Sequence, residues 1–446
     1  MVKNRKARRP AAVEPWAITE IQVAGFKSIS DEQRVEIRPL TILAGANSSG
    51  KSSMMQPLLL LKQTLEAPYD TGPILLNGPN VKFTSAEQLL SRIGKGQSLD
   101  SFQIGMRLNT GDRFLTCFRK EHKMGFRIER METSWPHGDL IFWPEMTPAE
   151  IAKTGITKGL DFSGKVPPGY QGQWEIMQAR CFIGPVWVAK APERPPWVAG
   201  ARPGPAWEGI IPHVIHLPGL RGNPERTYPV MAVGPAYPGT FEKYTASVVS
   251  QWVAEREDIL AELNAELKLL RLAGGVSAVP VNAVQIELQV GRLPEVPPTR
   301  PEDRVNIADV GFGVSQTLPV LVALHAAGPH QLVYVEQPET HLHPRAQYAL
   351  AEVLASAAKR GVRVVVETHS SILLLGVQTL VSEGKLAPDA VKLHWFQRQL
   401  DGRTVVTSGD LDESGRFGGW PEDYDDVTLQ VQKKYLDAAS QRLFAQ

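Results

Sequence analysis

The sequence has little cysteine, no long apolar run and almost no net charge. Its two cysteines, Cys117 and Cys181, stand far apart and make no metal-binding spacing. So sparse a use of thiols fits a reducing compartment, and the expected location is cytoplasmic. No apolar stretch is long enough to span a bilayer and no signal peptide opens the chain, so no membrane partner is expected. With 48 Lys and Arg against 47 Asp and Glu the formal net charge is +1, and no global field draws the protein toward nucleic acid. What the chain does have is length and an ordinary globular composition. At 446 residues and 43% hydrophobic it is long for one core, which predicts two or more lobes. Proline gathers in the middle of the chain and points to irregular connections there.

The chain is organised around Gly45-Ala46-Asn47-Ser48-Ser49-Gly50-Lys51-Ser52, a complete G-x-x-x-x-G-K-[ST] phosphate loop. Residues 40–44 before it read as a buried strand and residues 54–61 after it as a helix, in which Pro57 is expected to introduce a kink. The glycines let several backbone N–H groups turn toward phosphate oxygens, and the helix N-terminus adds its positive end. Lys51 is expected to reach the β- and γ-phosphates of ATP and Ser52 to hold Mg²⁺. Asn47, Ser48, Ser49 and Ser53 share the loop as nucleotide contacts.

Residues 1–16 are rich in Lys and Arg and are expected to be a solvated tail, with an arm that touches nucleic acid as the alternative. Residues 17–66 read as the first part of a nucleotide core and 67–134 as a β-rich antiparallel region. Residues 135–240 read as a Pro- and Trp-rich insertion holding Trp135, Trp143, Trp174, Trp187, Trp197 and Trp207. Packing of a lobe, or a surface facing a protein, is favoured there over stacking on bases. Residues 241–279 read as helical, 280–400 as the second part of the core and 401–446 as a C-terminal segment.

A second glycine-rich loop runs from Asp309 into a helix. Gly313, Ser315 and Gln316 at its start are candidates for a second phosphate contact, with the γ-phosphate held by another subunit as the target. Residues 331–336 read as a buried strand with Glu336 at its C-terminal tip, where ligands sit in open α/β sheets, so Glu336 is a candidate Mg²⁺ ligand. Gln337 follows, and Glu339 adds a second carboxylate. His341 and His343 lack further ligands nearby, which favours a structural or subunit-contact role over a metal site. A strand over 362–367 ends in Thr368-His369, and His369 is placed to touch a γ-phosphate.

Four passages in order, GANSSGKSS, DVGFGVSQTLP, LVYVEQPETHLHP and VVVETHSS, resemble the ABC-type ATPase heads of the RecF, SMC and OLD group. LPGLRGNPERTYP and GRFGGWPEDYDD are similar to that group as well. The resemblance covers residues 17–66 and 280–445. It implies an α/β P-loop NTPase fold: a mixed sheet flanked by helices, an antiparallel β subdomain and an irregular inserted lobe. It implies ATP and Mg²⁺ as cofactors, with Lys51 and Ser52 in the Walker A loop and Glu336 as the Walker B acid. It places Ser315 and Gln316 in a signature loop that acts across a head-to-head dimer or higher homo-oligomer, His341-Leu342-His343 in the D-loop region, and His369 as the switch histidine. Many such heads have a glutamate after the Walker B acid, which positions the attacking water. Gln337 stands there instead, and an amide orients water but cannot take its proton. Slow hydrolysis is therefore expected, or Glu339 as the base. About 75 residues follow Ser371, too few for the Toprim nuclease that OLD-type proteins often carry. The expected function is an ATP-driven switch that dimerises and regulates a separate effector protein, in anti-phage defence or genome maintenance. A RecF-like repair ATPase that binds DNA and a scaffold that binds ATP without hydrolysing it are the alternatives.

Overall fold

The computed structural model describes residues 16–418 apart from 94–96, 122–124, 136–137, 159, 161, 163–165, 167, 200–203 and 295–302, together with 433–434 and 436–437. The basic arm up to residue 15 and most of the GRFGGWPEDYDD passage lie outside the described residues.

Short runs of Val, Ile and Leu build a central six-stranded sheet. Its order is Ile215–Leu217, Leu332–Glu336, Arg363–Thr368, Leu40–Gly45, Val391–Arg398 and Thr404–Gly409. The first five strands are parallel and the last is antiparallel to its neighbour. Parallel strands covered on both faces are apolar at nearly every position, and the two faces split the side chains between two cores. Ile42, Ala44, Val333, Val335, Val364 and Val366 enter one core, while Leu43, Leu332, Tyr334, Val365 and Phe396 enter the other. The helices Phe312–Ala326, Pro344–Lys359 and Ser371–Ser382 cover the first face, through residues such as Leu318, Leu350 and Leu374. The helix Lys51–Glu66 covers the second face with Leu58, Leu59, Leu60 and Leu61, all fully buried. Each such leucine contributes about 2 kcal/mol. Pro57 lies inside this helix, which continues through it.

Two stretches sit elsewhere than the sequence suggested. Ile215–Leu217 falls within 135–240, yet it is the edge strand of the central sheet. Three residues are too few for a periodicity to show. The strands Ile18–Ala24 and Gln33–Glu36, read with the nucleotide core, instead join an antiparallel sheet with Ser101–Leu108, Arg113–Glu121, Gly125–Trp135 and Gly138–Phe142. This sheet shares its core with the Lys51–Glu66 helix through Ile21, Val23, Phe102 and Phe118. The mixed sheet flanked by helices and the antiparallel subdomain are those the resemblance implied.

Three of the insertion's tryptophans pack against other rings. Trp174 and Trp187 meet edge to face at 5.7 Å across the strands Gln171–Ala179 and Phe182–Ala191, and Trp207 is buried 4.6 Å from the Phe114 ring. Trp143 is exposed. Among the described residues no helix is long and apolar enough to cross a membrane.

Candidate functional site

The strand Leu40–Gly45 delivers the phosphate loop to the C-terminal edge of the parallel sheet. Two glycines let the loop close there. Gly45 has φ +146° and Gly50 φ +107°, and a Cβ would stand 2.3 Å from the Phe396 carbonyl oxygen at the first and 2.4 Å from Thr404 Oγ1 at the second. Ser48 is also left-handed, with φ 58°, a conformation that costs a non-glycine residue about 1 kcal/mol. Lys51 Nζ donates to the carbonyls of Gly45 and Ala46 at 3.0 and 2.9 Å. Burial lowers the Lys51 pKa, and the charges of Glu367 and Glu339 offset part of that. The Ser49 hydroxyl is buried without a hydrogen-bond partner. A cavity of about 700 Å³ opens over the loop. Residues 47–53, Lys27, Gln56, Arg92, Gln337, Glu367, His369 and Arg398 are among those lining it.

Two acidic strand tips stand side by side, because the parallel register pairs Glu336 with Glu367. Ser52 Oγ lies 2.9 Å from both Glu367 carboxylate oxygens. The Tyr334 hydroxyl donates to Glu367 Oε2 at 2.9 Å. Burial and then the charge of Glu336 push the Glu367 carboxyl up. Glu336 points its carboxylate to the other side, 3.2 Å from His216 Nε2 and 3.2 Å from the Gly219 N–H. Burial pushes the Glu336 carboxyl up, but His216, Gly219 and Tyr334 together hold it below its ordinary value. His216 also stacks on Tyr334, with ring centroids 5.5 Å apart. The buried Arg221 guanidinium donates to the Glu336 carbonyl at 2.6 Å and the Gln316 carbonyl at 3.2 Å, and burial lowers its pKa to about 10.

The remaining predicted residues divide between cavity and interior. Gln337 lines the cavity on a left-handed backbone (φ 45°), and its N–H donates to the Glu367 carbonyl at 2.7 Å. His369 lines it too, and burial followed by the nearby Lys51 charge lowers its pKa, which favours the neutral imidazole. Glu339 is buried. Its Oε1 accepts from Thr368 Oγ1 at 2.7 Å and from the His369 N–H at 2.9 Å. Ser315 and Gln316 are buried in the first turns of the Phe312–Ala326 helix. Ser315 donates to the Phe312 carbonyl at 3.2 Å, and Gln316 Nε2 to the Gly222 carbonyl at 2.7 Å. Gly313, Ser315, Gln316, Glu336 and Glu339 are not among the described residues that line the cavity. His343 accepts from the Arg345 N–H at 3.3 Å and caps the Pro344–Lys359 helix, while His341 packs 5.8 Å from the Phe312 ring. Among the described residues no group of His, Cys, Asp and Glu is arranged to hold a metal by itself.

Sequence reasoning gave no role to Glu367, Tyr334, His216 or Arg221. For Glu367 a signal was present: VVVE repeats the pattern of LVYVE, apolar residues ending in an acid, on the next parallel strand. His216 and Arg221 lie in the passage 216–226, which reads in the sequence as a strand running into a loop, but the strand's partner and so the two side chains' roles do not show there.

One strand separates the phosphate-loop strand from the acidic strand Leu332–Glu336. That order, the second glycine-rich loop opening a helix, and a histidine lining the cavity over the phosphate loop form the P-loop arrangement that the resemblance to ABC-type heads implied. A family model described as "AAA domain, putative AbiEii toxin, Type IV TA system" matches residues 301–375, which contain the second glycine-rich loop, the acidic strand and His369. No curated protein matches the chain. Among solved structures the chain is similar to an Smc head bound to the C-terminal winged-helix domain of ScpA, with TM-score 0.48 and 11% identity over 89% of this chain and 99% of the other. It is similar also to the SMC head domain from Thermotoga maritima (TM-score 0.39, 10% identity, 88% and 98% covered). A third is the Smc head domain with a coiled coil and joint from Pyrococcus yayanosii (TM-score 0.46, 10% identity, 90% and 98% covered).

Proposed function

We propose that this chain binds ATP with Mg²⁺ over the phosphate loop, hydrolyses it slowly, and uses the bound state to close a head-to-head homodimer that controls a separate effector protein. One observation carries this reading. A single cavity gathers the phosphate loop, Lys51, Ser52, Gln337, Glu367 and His369, while Ser315 and Gln316 stand away from it. The cavity suits a nucleotide. The glycine cradle has no room for side chains, the Ser49 hydroxyl has no partner, and Ser52 with Glu367 offers the hard oxygen donors that Mg²⁺ prefers. Mg²⁺, when bound, would neutralise charge on the phosphates.

Lys51 would exchange its two loop carbonyls for phosphate oxygens. The helix N-terminus at Gly50 would add its positive end. His369, neutral, would donate a hydrogen bond to the γ-phosphate. Gln337 would orient the attacking water without taking its proton, which slows the step. Glu339 would hold the His369 backbone in place rather than meet the water. The glycine-rich loop of a second copy, exposed at Gly311 and Phe312 where the helix carrying the buried Ser315 and Gln316 begins, would complete the site, which makes closure depend on nucleotide. The toxin–antitoxin setting in the matched family's description supports anti-phage defence as the biological role.

Turnover of ATP by the wild type, Lys51→Ala and Gln337→Glu tests the catalytic part. The expected outcome is slow turnover, abolished in Lys51→Ala and raised about a hundredfold in Gln337→Glu by the added base. Brisk wild-type turnover that Gln337→Glu leaves unchanged would contradict it.

A further inference from the structure

We propose that Glu367, on the strand beside the phosphate loop, is the carboxylate that meets the metal ion next to Ser52, and that Glu336 is a positioning residue. The proposal rests on the nucleotide reading above. Strand pairing gives the first reason. Arg363–Thr368 pairs directly with Leu40–Gly45, so Glu367 ends the strand next to the phosphate loop. Contacts give the second. Ser52 Oγ is 2.9 Å from each Glu367 oxygen, and Tyr334 fixes that carboxylate from behind at 2.9 Å. The Gln337 N–H holds the Glu367 carbonyl at 2.7 Å, so the backbone at this tip is pinned as well.

Glu336 is occupied elsewhere. Its two oxygens are held by His216 and by the Gly219 N–H, and its own carbonyl by Arg221. These bonds tie the edge strand Ile215–Leu217 and the loop after it to the acidic strand. The cavity adds a third reason. Its described carboxylates are Glu87 and Glu367, and Glu87 is paired with Lys120. Glu367 is thus the acid free to face a cation beside the loop, and the buried, unpartnered Ser49 hydroxyl marks the same wall as built for a ligand. With Gln337 neutral, an ionised Glu367 would leave the site with a carboxylate beside the loop.

The test uses Mn²⁺ as the probe, followed by its electron paramagnetic resonance, with the full chain and a non-hydrolysed ATP analogue. Glu367→Gln is expected to weaken Mn²⁺ binding in the nucleotide complex by about tenfold or more, and Glu336→Gln by less than about threefold. Glu367→Asp keeps the charge on a shorter arm and is expected to fall between wild type and Glu367→Gln. If thermal melting shows that Glu367→Gln does not fold, the Glu367→Asp result decides: affinity equal to wild type overturns the proposal. Loss of Mn²⁺ in Glu336→Gln with wild-type affinity in Glu367→Gln also overturns it, while analogue binding that still depends on Lys51 leaves the nucleotide reading standing. Analogue that binds wild type and Lys51→Ala equally overturns the nucleotide reading and this proposal with it.

Discussion

A methyl group added at Gly45 would stand 2.3 Å from the Phe396 carbonyl oxygen, and one at Gly50 would stand 2.4 Å from Thr404 Oγ1, both on a backbone of positive φ. Gly45→Ala and Gly50→Ala are therefore expected to lower stability by about 1–3 kcal/mol each and to weaken binding of ATP, measured by thermal melting and by titration with nucleotide. His394 is a second residue-scale case. It is buried in the strand Val391–Arg398, with Nε2 2.9 Å from the Glu36 carbonyl and Nδ1 2.8 Å from Ser408 Oγ. Burial lowers its pKa from 6.5 to about 4. The unfolded chain takes up this proton near pH 6.5 and the folded chain only near 4. Stability is thus fully present above pH 6.5 and is lost as pH falls toward 4, by about 3 kcal/mol. Replacing His394 by Gln is expected to flatten the acid limb of a melting-temperature profile between pH 7 and 4. A limb of unchanged steepness would contradict that assignment. At this scale the phosphate loop was legible in the sequence because its residue types are fixed by close approach to phosphate. Glu367 showed only as an acid ending an apolar run, since its role depends on its distance to Ser52, which is 315 positions away in the chain.

Between elements, the buried Arg221 is the joint. It bonds the Gln316 carbonyl on the Phe312–Ala326 helix and the Glu336 carbonyl at the end of the acidic strand. Its backbone N–H also meets Gln316 Oε1 at 3.2 Å. The second glycine-rich loop and the acidic strand are thereby held to one another through a loop that neither belongs to. Arg221→Met is expected to cost about 2–4 kcal/mol, because two buried carbonyls lose their donor. Chemical denaturation would show it as a lower midpoint with an unchanged slope. The long strands and helices around the site were readable from apolar runs and turn residues. The pairing that puts Ile215–Leu217 at the sheet edge was not, because a three-residue strand draws its identity from its neighbour. The antiparallel sheet was half readable. Alternation showed the strands over 101–118, but not that Ile18–Ala24 pairs with Ser101–Leu108.

At the scale of the whole molecule, the residues expected to act on a nucleotide fall into two separate groups. Lys51, Ser52, Gln337 and His369 line one cavity, and Gly313, Ser315 and Gln316 do not. A second copy facing the first would bring the two groups together across the interface. In the proposed dimer closure would depend on a bound γ-phosphate, and slow turnover at a neutral Gln337 would prolong the closed state. The most direct measurement is solution mass, with and without Mg²⁺ and ATP, on the wild type and Lys51→Ala. A nucleotide-closed dimer predicts a 49.1 kDa species that roughly doubles in mass with ATP in the wild type and does not in Lys51→Ala. A wild type that binds ATP and keeps the same mass would contradict the nucleotide-closed dimer.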